Sequence, residues 1–328
     1  MKILVVGGAG YIGGCTVDSL INNKNGHEVT VYDNLMYERM YLKPINFIAG
    51  DIRDEELYTS IVHKYDAVVW LAAIVGDGAC NVKPSLTKEI NYDCVKRLAD
   101  CGYQGKIVFT STCSVYGANN DLIDEYAEPN PLSLYASTKL QAERCLTTEF
   151  DEHGSLDNVL IFRLGTLFGL SDMHSRLRLD LVVNVLTKKA VKGEDLTVFG
   201  GEQWRPLLHV KDVAGAIAYG LDNDIKGLYN LSYDNFTILD LAKEIQETVE
   251  NPVKILESDI SFEDMRNYKV VSDAYRAHGW LPKWTLKDGI SELESIMKEG
   301  RVRDTENPVY SNAAYMGAES WTTQSWIA

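Results

Sequence analysis

The sequence predicts an α/β protein: a doubly wound parallel sheet followed by a smaller, mixed α/β domain. Three observations predict it. From Met1 to about Arg163, apolar runs alternate with helix-like stretches, the pattern of a parallel sheet covered on both faces. The first run, Lys2–Val6, passes into a helical stretch through glycines spaced G-x-x-G-x-x-G. From Leu164 onward the alternation gives way to short mixed stretches. The expected boundaries are 1–165 for the first domain, with some later segments returning to it, 166–298 for the second, and 299–328 for a tail.

Lys2–Val6 is apolar, β-branched and short enough for a buried parallel strand. Gly7, Gly10 and Gly13 follow, and Tyr11–Asn22 reads as an amphipathic helix. A strand turning into a helix through glycines makes a phosphate site, because backbone N–H groups can approach closely and the helix N-terminus is partly positive. Gly7, Gly10, Tyr11, Ile12 and Gly13 are therefore expected to hold a pyrophosphate. The second run, Glu28–Tyr32, ends at Asp33, twenty positions beyond Gly13. A carboxylate there accepts from adenosine ribose hydroxyls and repels a 2′-phosphate, so the expected cofactor is NAD rather than NADP.

Ligands of such sheets bind where the strands end. After Asp33 comes Asn34. After Phe47–Ala49 come Gly50, Asp51 and Ile52, where the aspartate can reach the adenine edge. After Val68–Trp70 come Leu71, Ala72 and Ala73, small enough to let a cofactor lie against the backbone. Helices are expected over Asp54–His63, Ser85–Cys101 and Leu134–Glu152.

In the second half, Ser171–Leu179 is polar and basic, with Arg176 and Arg178 as either solvated loop residues or ligand contacts. Helices are expected over Asp180–Lys192, Val213–Leu221, Leu239–Thr248 and Lys287–Lys298. Strands are expected at Leu196–Phe199, Gly227–Leu231 and Val253–Leu256, with the stretch Trp204–Val210 following the turn at Gly200-Gly201. Asp212 reads as the cap of the helix starting at Val213. The tail from Glu299 has no clear period and reads as a packed arm or a partly disordered end.

With 45% hydrophobic and 24% charged residues, the 328-residue chain has an ordinary globular composition. Its net charge of −15 argues against nucleic-acid or anionic-membrane partners. Any phosphorylated ligand must then be held by local Arg, Lys and backbone groups. No stretch approaches a signal peptide or a membrane span. The six cysteines form no C-x-x-C pair and the six histidines no cluster. Free thiols in a reducing cytoplasm, and no metal, are the expectation.

The chemistry is expected after the fifth run, Lys106–Thr110, which ends in Ser111-Thr112-Cys113-Ser114-Val115-Tyr116-Gly117. Further on, Tyr135 and Lys139 stand at i and i+4 of a helix and share a face. A tyrosine titrates near ~10, so a nearby cation is needed to make it a useful base at neutrality. A hydroxyl from the strand end could hold a substrate oxygen as it becomes a carbonyl.

These features together resemble the extended short-chain dehydrogenase/reductase family, in its nucleotide-sugar epimerase and dehydratase group. The resemblance rests on the glycine triplet, Asp33, Gly50-Asp51-Ile52, Leu71-Ala72-Ala73, Asn91, S-T-C-S-V-Y-G, Tyr135/Lys139, Arg163, the Trp204–Asp212 segment and Asn230, and runs to about Lys298. It implies a Rossmann-type domain with tightly held NAD and a second domain that binds a nucleoside-diphosphate sugar. Residue by residue, it implies Thr112, Tyr135 and Lys139 as catalytic residues. Asn91 and Arg163 join the cofactor contacts, and Lys139 bridges the nicotinamide ribose. Thr112, Ser114, Tyr135, Arg205 and, more weakly, Arg176 meet the substrate, with Arg205 on the diphosphate. Dehydratases of the group usually carry an acidic pair just after the catalytic threonine. Here those positions are Cys113 and Ser114, which ranks dehydration low. Trp70 stands where relatives often have histidine, and nothing in the sequence explains it. The favoured reading is a C4 epimerase working through a 4-keto intermediate. The alternative is a 4-keto nucleotide-sugar reductase using NADH or NADPH, with a non-catalytic NAD-binding protein ranked last. Relatives commonly dimerise through two helices per subunit, here Ser85–Cys101 and Leu134–Glu152, so a homodimer is expected.

Overall fold

The computed structural model describes residues 1–38, 40–152, 158–258 and 267–318. The strands are β1 (Lys2–Val6), β2 (Glu28–Asp33), β3 (Asn46–Ala49), β4 (Ala67–Trp70), β5 (Lys106–Thr112), β6 (Ala118–Ile123) and β7 (Val159–Leu164). They continue with β8 (Thr166–Phe168), β9 (Leu196–Phe199), β10 (Trp204–His209), β11 (Gly227–Leu231), β12 (Asp234–Thr237), β13 (Ile255–Ser258) and β14 (Asn267–Val270). The helices are α1 (Tyr11–Ile21), α2 (Glu55–Val62), α3 (Asp77–Val82), α4 (Pro84–Lys88), α5 (Cys94–Asp100) and α6 (Leu134–Glu152). In the second half come α7 (Val182–Val191), α8 (Val210–Asp222), α9 (Ile238–Thr248), α10 (Asp273–Arg276), α11 (Leu286–Lys298) and α12 (Asn312–Gly317).

Seven strands form one parallel sheet in the order β11-β7-β5-β4-β1-β2-β3. The order reverses at β1, and Val6 pairs with Tyr32 on one side and Trp70 on the other. Gly7, Asp33 and Leu71 therefore leave the same edge of the sheet together, which is where a crevice opens. The sheet is apolar on both faces, as a parallel sheet must be. One face buries Leu4, Trp70, Ile107 and Phe109 under α2, α5 and α6. The other buries Val5, Val69 and Phe162 under α1 and α8.

A separate apolar cluster lies in the second half of the chain. Val183, Leu186, Leu241, Ile245 and Ile290 bring α7, α9 and α11 together over β8–β10. Residues 210–231 belong to the first layer: α8 packs on α1 and β11 closes the large sheet. Asp212 is not the cap of α8, which starts earlier with His209 at the N-cap. Its carboxylate accepts the Lys283 and Trp284 N–H groups instead, at 2.8 and 3.1 Å. Among the described residues no helix is long and apolar enough to cross a membrane, and no His/Cys/Asp/Glu group could hold a metal ion.

Candidate active site

The glycine turn is built by close approach. Gly7 has φ +82°, and a Cβ there would lie 2.6 Å from the Ala72 nitrogen. A Cβ on Gly13 would strike the Gly7 carbonyl and lie 2.6 Å from the Gly8 backbone. Gly10 caps α1 without a side chain, so the helix N-terminus faces the turn bare. Residues 7, 9–13, 32–38, 50–52 and 71–75 line one cleft of about 1030 Å³, open mouth included.

Asp33 stands at the end of β2 inside that cleft. Its carboxylate accepts the Ala9 N–H at 3.0 Å and the Leu35 N–H at 2.7 Å, which fixes its plane. Burial pushes its pKa up, against those two bonds. Asp51 lies one strand over. Burial alone would raise its pKa, but Arg53 and Asn34, which donate to it at 2.8 and 3.1 Å, hold it below the usual range. Ile52, Leu71, Ala72 and Ala73 line the cleft. Asn91 supports the wall from behind: its amide brackets Ile74, accepting from the N–H at 2.8 Å and donating to the C=O at 2.9 Å. It sits in a π-helical turn, Glu89–Asp93, that interrupts the single helix expected over Ser85–Cys101.

Beyond the cleft lies the hydroxyl pair. β5 runs two residues further than its apolar run, so Thr112 is a strand residue. Tyr135, half-buried near the start of α6, has the Thr112 hydroxyl in its neighbourhood. Thr112 in turn hydrogen-bonds to the Ser114 hydroxyl and to its N–H, both at 3.1 Å, and Ser114 reaches the Tyr268 hydroxyl at 3.2 Å. Burial raises the Tyr135 pKa further above its ordinary value, Cys80 and Asp77 add to the rise, and Arg178 opposes it. Lys139 stands one turn on from Tyr135 along α6. Its ammonium rests 4.0 Å over the Phe109 ring, and burial lowers its pKa to about 7 although Glu143 pulls the other way.

The arginines divide. Arg163 lies inside the first domain, 5% exposed, away from the cleft lining. Its guanidinium donates to Glu143 at 2.7 and 3.1 Å and to the Tyr116 hydroxyl at 2.9 Å, so its donors serve the β7–α6 packing. Asn230 belongs to the same network, accepting from Tyr116 at 2.8 Å. Arg205 is buried on β10 and donates to the Trp204 carbonyl at 2.8 Å. Arg176 and Arg178 are not solvated: they are 9% and 7% exposed and both line the cleft. Arg178 donates to Asp180 at 2.6 Å. Arg176 donates to the Val309 carbonyl at 2.6 Å and to the Asn312 side chain.

Among the cleft residues that carry no sequence signal are Tyr37, Glu38, Val75 and Asn312. Asn312 comes from the tail, whose described part is a packed arm. No local pattern could have placed it beside Arg176, 136 positions away.

The site fits a dinucleotide. A glycine cradle that a Cβ at Gly7 or Gly13 would fill leads into α1, and a carboxylate with no cation partner among the described residues ends β2. The family model described as "NAD dependent epimerase/dehydratase family" matches residues 3–232. The low-salt glycan biosynthesis protein Agl12 of Haloferax volcanii is 30% identical over 312 residues, 88% of this chain and 96% of that one. UDP-N-acetyl-alpha-D-glucosaminuronate decarboxylase of Bacillus cytotoxicus is 26% identical over 269 residues, 78% of this chain and 82% of that one. The UDP-glucose 4-epimerase of Thermotoga maritima, solved with UDP-glucose, superposes with a TM-score of 0.79 at 26% identity, covering 92% of this chain and 100% of that one. With the model spanning most of its length, this chain belongs to the NAD-dependent epimerase/dehydratase family.

Proposed function

We propose that the chain is a nucleotide-sugar epimerase that inverts C4 of a nucleoside-diphosphate sugar. The observation that carries this reading is the placement of Thr112 at the end of β5 and Tyr135 at the start of α6, close enough for Thr112 to temper the phenol's raised pKa, beside the strand ends that open into the dinucleotide cleft. NAD, when bound, supplies a hydride acceptor that becomes the donor for the return step. It would be held by Gly7, Gly10–Gly13, Asp33, Asn34, Asp51, Ile52 and Leu71–Ala73.

The chain's own residues manage the proton and the oxygen. Thr112 orients the sugar 4-hydroxyl beside Tyr135. The Tyr135 oxygen takes the hydroxyl proton as the carbon is oxidised, and gives it back when the carbon is reduced from its other face. Oxidation and reduction occur at one carbon, so nothing is consumed. Dehydration would need a carboxylate pair after Thr112. Cys113 there is a fully buried thiol, raised by burial and donating to the Arg163 carbonyl at 3.1 Å. Ser114 is tied to Thr112 and Tyr268. Arg205 is the candidate for the diphosphate, by charge-assisted bidentate contact.

The test is incubation with UDP-, GDP-, CDP- and dTDP-sugars, read by NMR, first without added cofactor and then with NADH. A pair of C4 epimers interconverting without added cofactor is the expected result. Product formed only with NADH, loss of carbon dioxide from a uronic acid, or a 4-keto-6-deoxy product would each replace this reading.

A further inference from the structure

The arm that follows α11 crosses from the second domain to the first at the mouth of the cleft. On the second-domain side, Glu306 meets Lys188 and Lys192 at 3.0 and 2.7 Å. The Tyr310 carbonyl accepts the Leu179 N–H at 2.9 Å, and Asp180 accepts the Asn312 N–H at 2.7 Å. On the first-domain side, the Asn312 amide donates to the Val75 carbonyl at 2.9 Å. Tyr315 donates to the Met36 carbonyl at 2.7 Å and packs on Tyr37 with ring centroids 5.1 Å apart. Met316, 1% exposed, joins the core of the large sheet.

Arg176 joins the two sides. Its guanidinium holds Val309 and Asn312 of the arm and lies 4.0 Å over Tyr37, while its N–H donates to Glu38 at 2.6 Å. Its loop is tied to α1 through Lys43, which pairs with Asp172 at 2.7 Å and donates to the Gly14 carbonyl at 2.6 Å.

We propose that the arm is a clasp that retains the dinucleotide, with Arg176 as its latch. This rests on the reading that the cleft takes NAD. The placement is what carries it. Met36, Tyr37 and Glu38 directly follow Asp33 and Asn34, and Val75 follows Leu71–Ala73, so the arm closes the adenosine and pyrophosphate side. The described hydrogen bonds of Thr112 and Ser114 include none from the arm. A sugar can exchange while the dinucleotide stays, which suits a reaction that returns its hydride every cycle. Arg176 is thereby a positioning residue and not a diphosphate contact.

The test is the rate of NAD dissociation, followed by displacement of a fluorescent NAD analogue. Asn312→Ala and Arg176→Met should speed release at least tenfold. A crosslink tests the same idea in the opposite direction: a Cβ on Gly78 of α3 would lie 3.2 Å from that of Ala313 on α12, close enough for a cysteine pair. The Gly78→Cys/Ala313→Cys protein, loaded with NAD and then oxidised, should release it at least tenfold more slowly than when reduced. Equal release rates in the oxidised and reduced crosslink protein, with both folded and NAD-bound, would overturn the clasp and leave the cofactor reading intact. A wild-type chain that binds no dinucleotide would overturn both.

Discussion

Burial disfavours the Tyr135 phenolate more than Arg178 favours it, so the phenol must ionise before its oxygen can take the sugar proton. Tyr135→Phe removes only the oxygen, so folding and dinucleotide binding should survive. Turnover should fall by about two to four orders of magnitude, the contribution of a general acid/base. Thr112→Val should cost less, since it orients without exchanging a proton. The check is steady-state turnover on the substrate found by the NMR panel, and near-normal turnover in Tyr135→Phe would end the hydride-transfer reading. Asp33 gives a second expectation: calorimetric titration should show tighter binding of NAD than of NADP, by charge repulsion at the 2′-phosphate, and equal affinities would remove Asp33 from the ribose. Tyr135, Lys139, Asp33 and the glycines were legible as candidates because helix period, strand ends and spacing are local signals. The latch role of Arg176 was not, because its partners Val309 and Asn312 lie more than 130 positions away. Arg163 entered on resemblance alone, and a buried carboxylate on the neighbouring helix takes its donors.

The turn between β1 and α1 sets what the glycines must be. At Gly13 a Cβ meets backbone, Gly7 and Gly8, which cannot move without opening the turn. At Gly14 it meets the side-chain ends of Ser175 and Asp172, which can give way if the loop shifts. Alanine favours a helix over glycine by about 1 kcal/mol at an unobstructed site. Gly13→Ala should therefore lower the melting temperature and abolish dinucleotide binding. Gly14→Ala should stay folded, gain no stability, and bind the dinucleotide more weakly by displacing the 172–175 loop. Thermal melts and binding titrations check both, and tight binding in Gly13→Ala would show that the turn is looser than its contacts. Apolar strands and amphipathic helices were readable to within a few residues. The missed strands β6, β8, β12 and β14 are three to six residues long and pair with distant partners. β6, Ala-Asn-Asn-Asp-Leu-Ile, looks like a loop until Asn267–Val270 lies beside it. The π turn at Glu89–Asp93 was equally silent, because the sequence keeps a helical pattern through it.

The two halves do not divide at one point along the chain: 210–231 completes the large sheet, and the arm ties the second domain back onto the first. That closure buries acid inside an already acidic molecule. Glu38 lies where β2, the Arg176 loop and the cleft meet. Burial raises its pKa to about 7, Asp33 and Asp172 reinforce the rise, and the Arg176 N–H and guanidinium oppose it. Unfolded, a glutamate titrates near ~4.3. Between those values the folded chain keeps a proton that the unfolded chain has released, so stability falls as pH rises through this window. The contribution is fully present below the unfolded pKa and gone above the folded one. Glu38→Gln keeps an oxygen to accept the Arg176 N–H and removes the charge. Its melting temperature should exceed that of the wild type by about 2 °C or more at pH 8, with the gap closing towards pH 4.5. Melts at half-unit intervals from pH 4.5 to 8.5 check the sign. A gap that stays constant across that range would mean that Glu38 titrates alike in both states and that the closed cleft imposes no charge cost there.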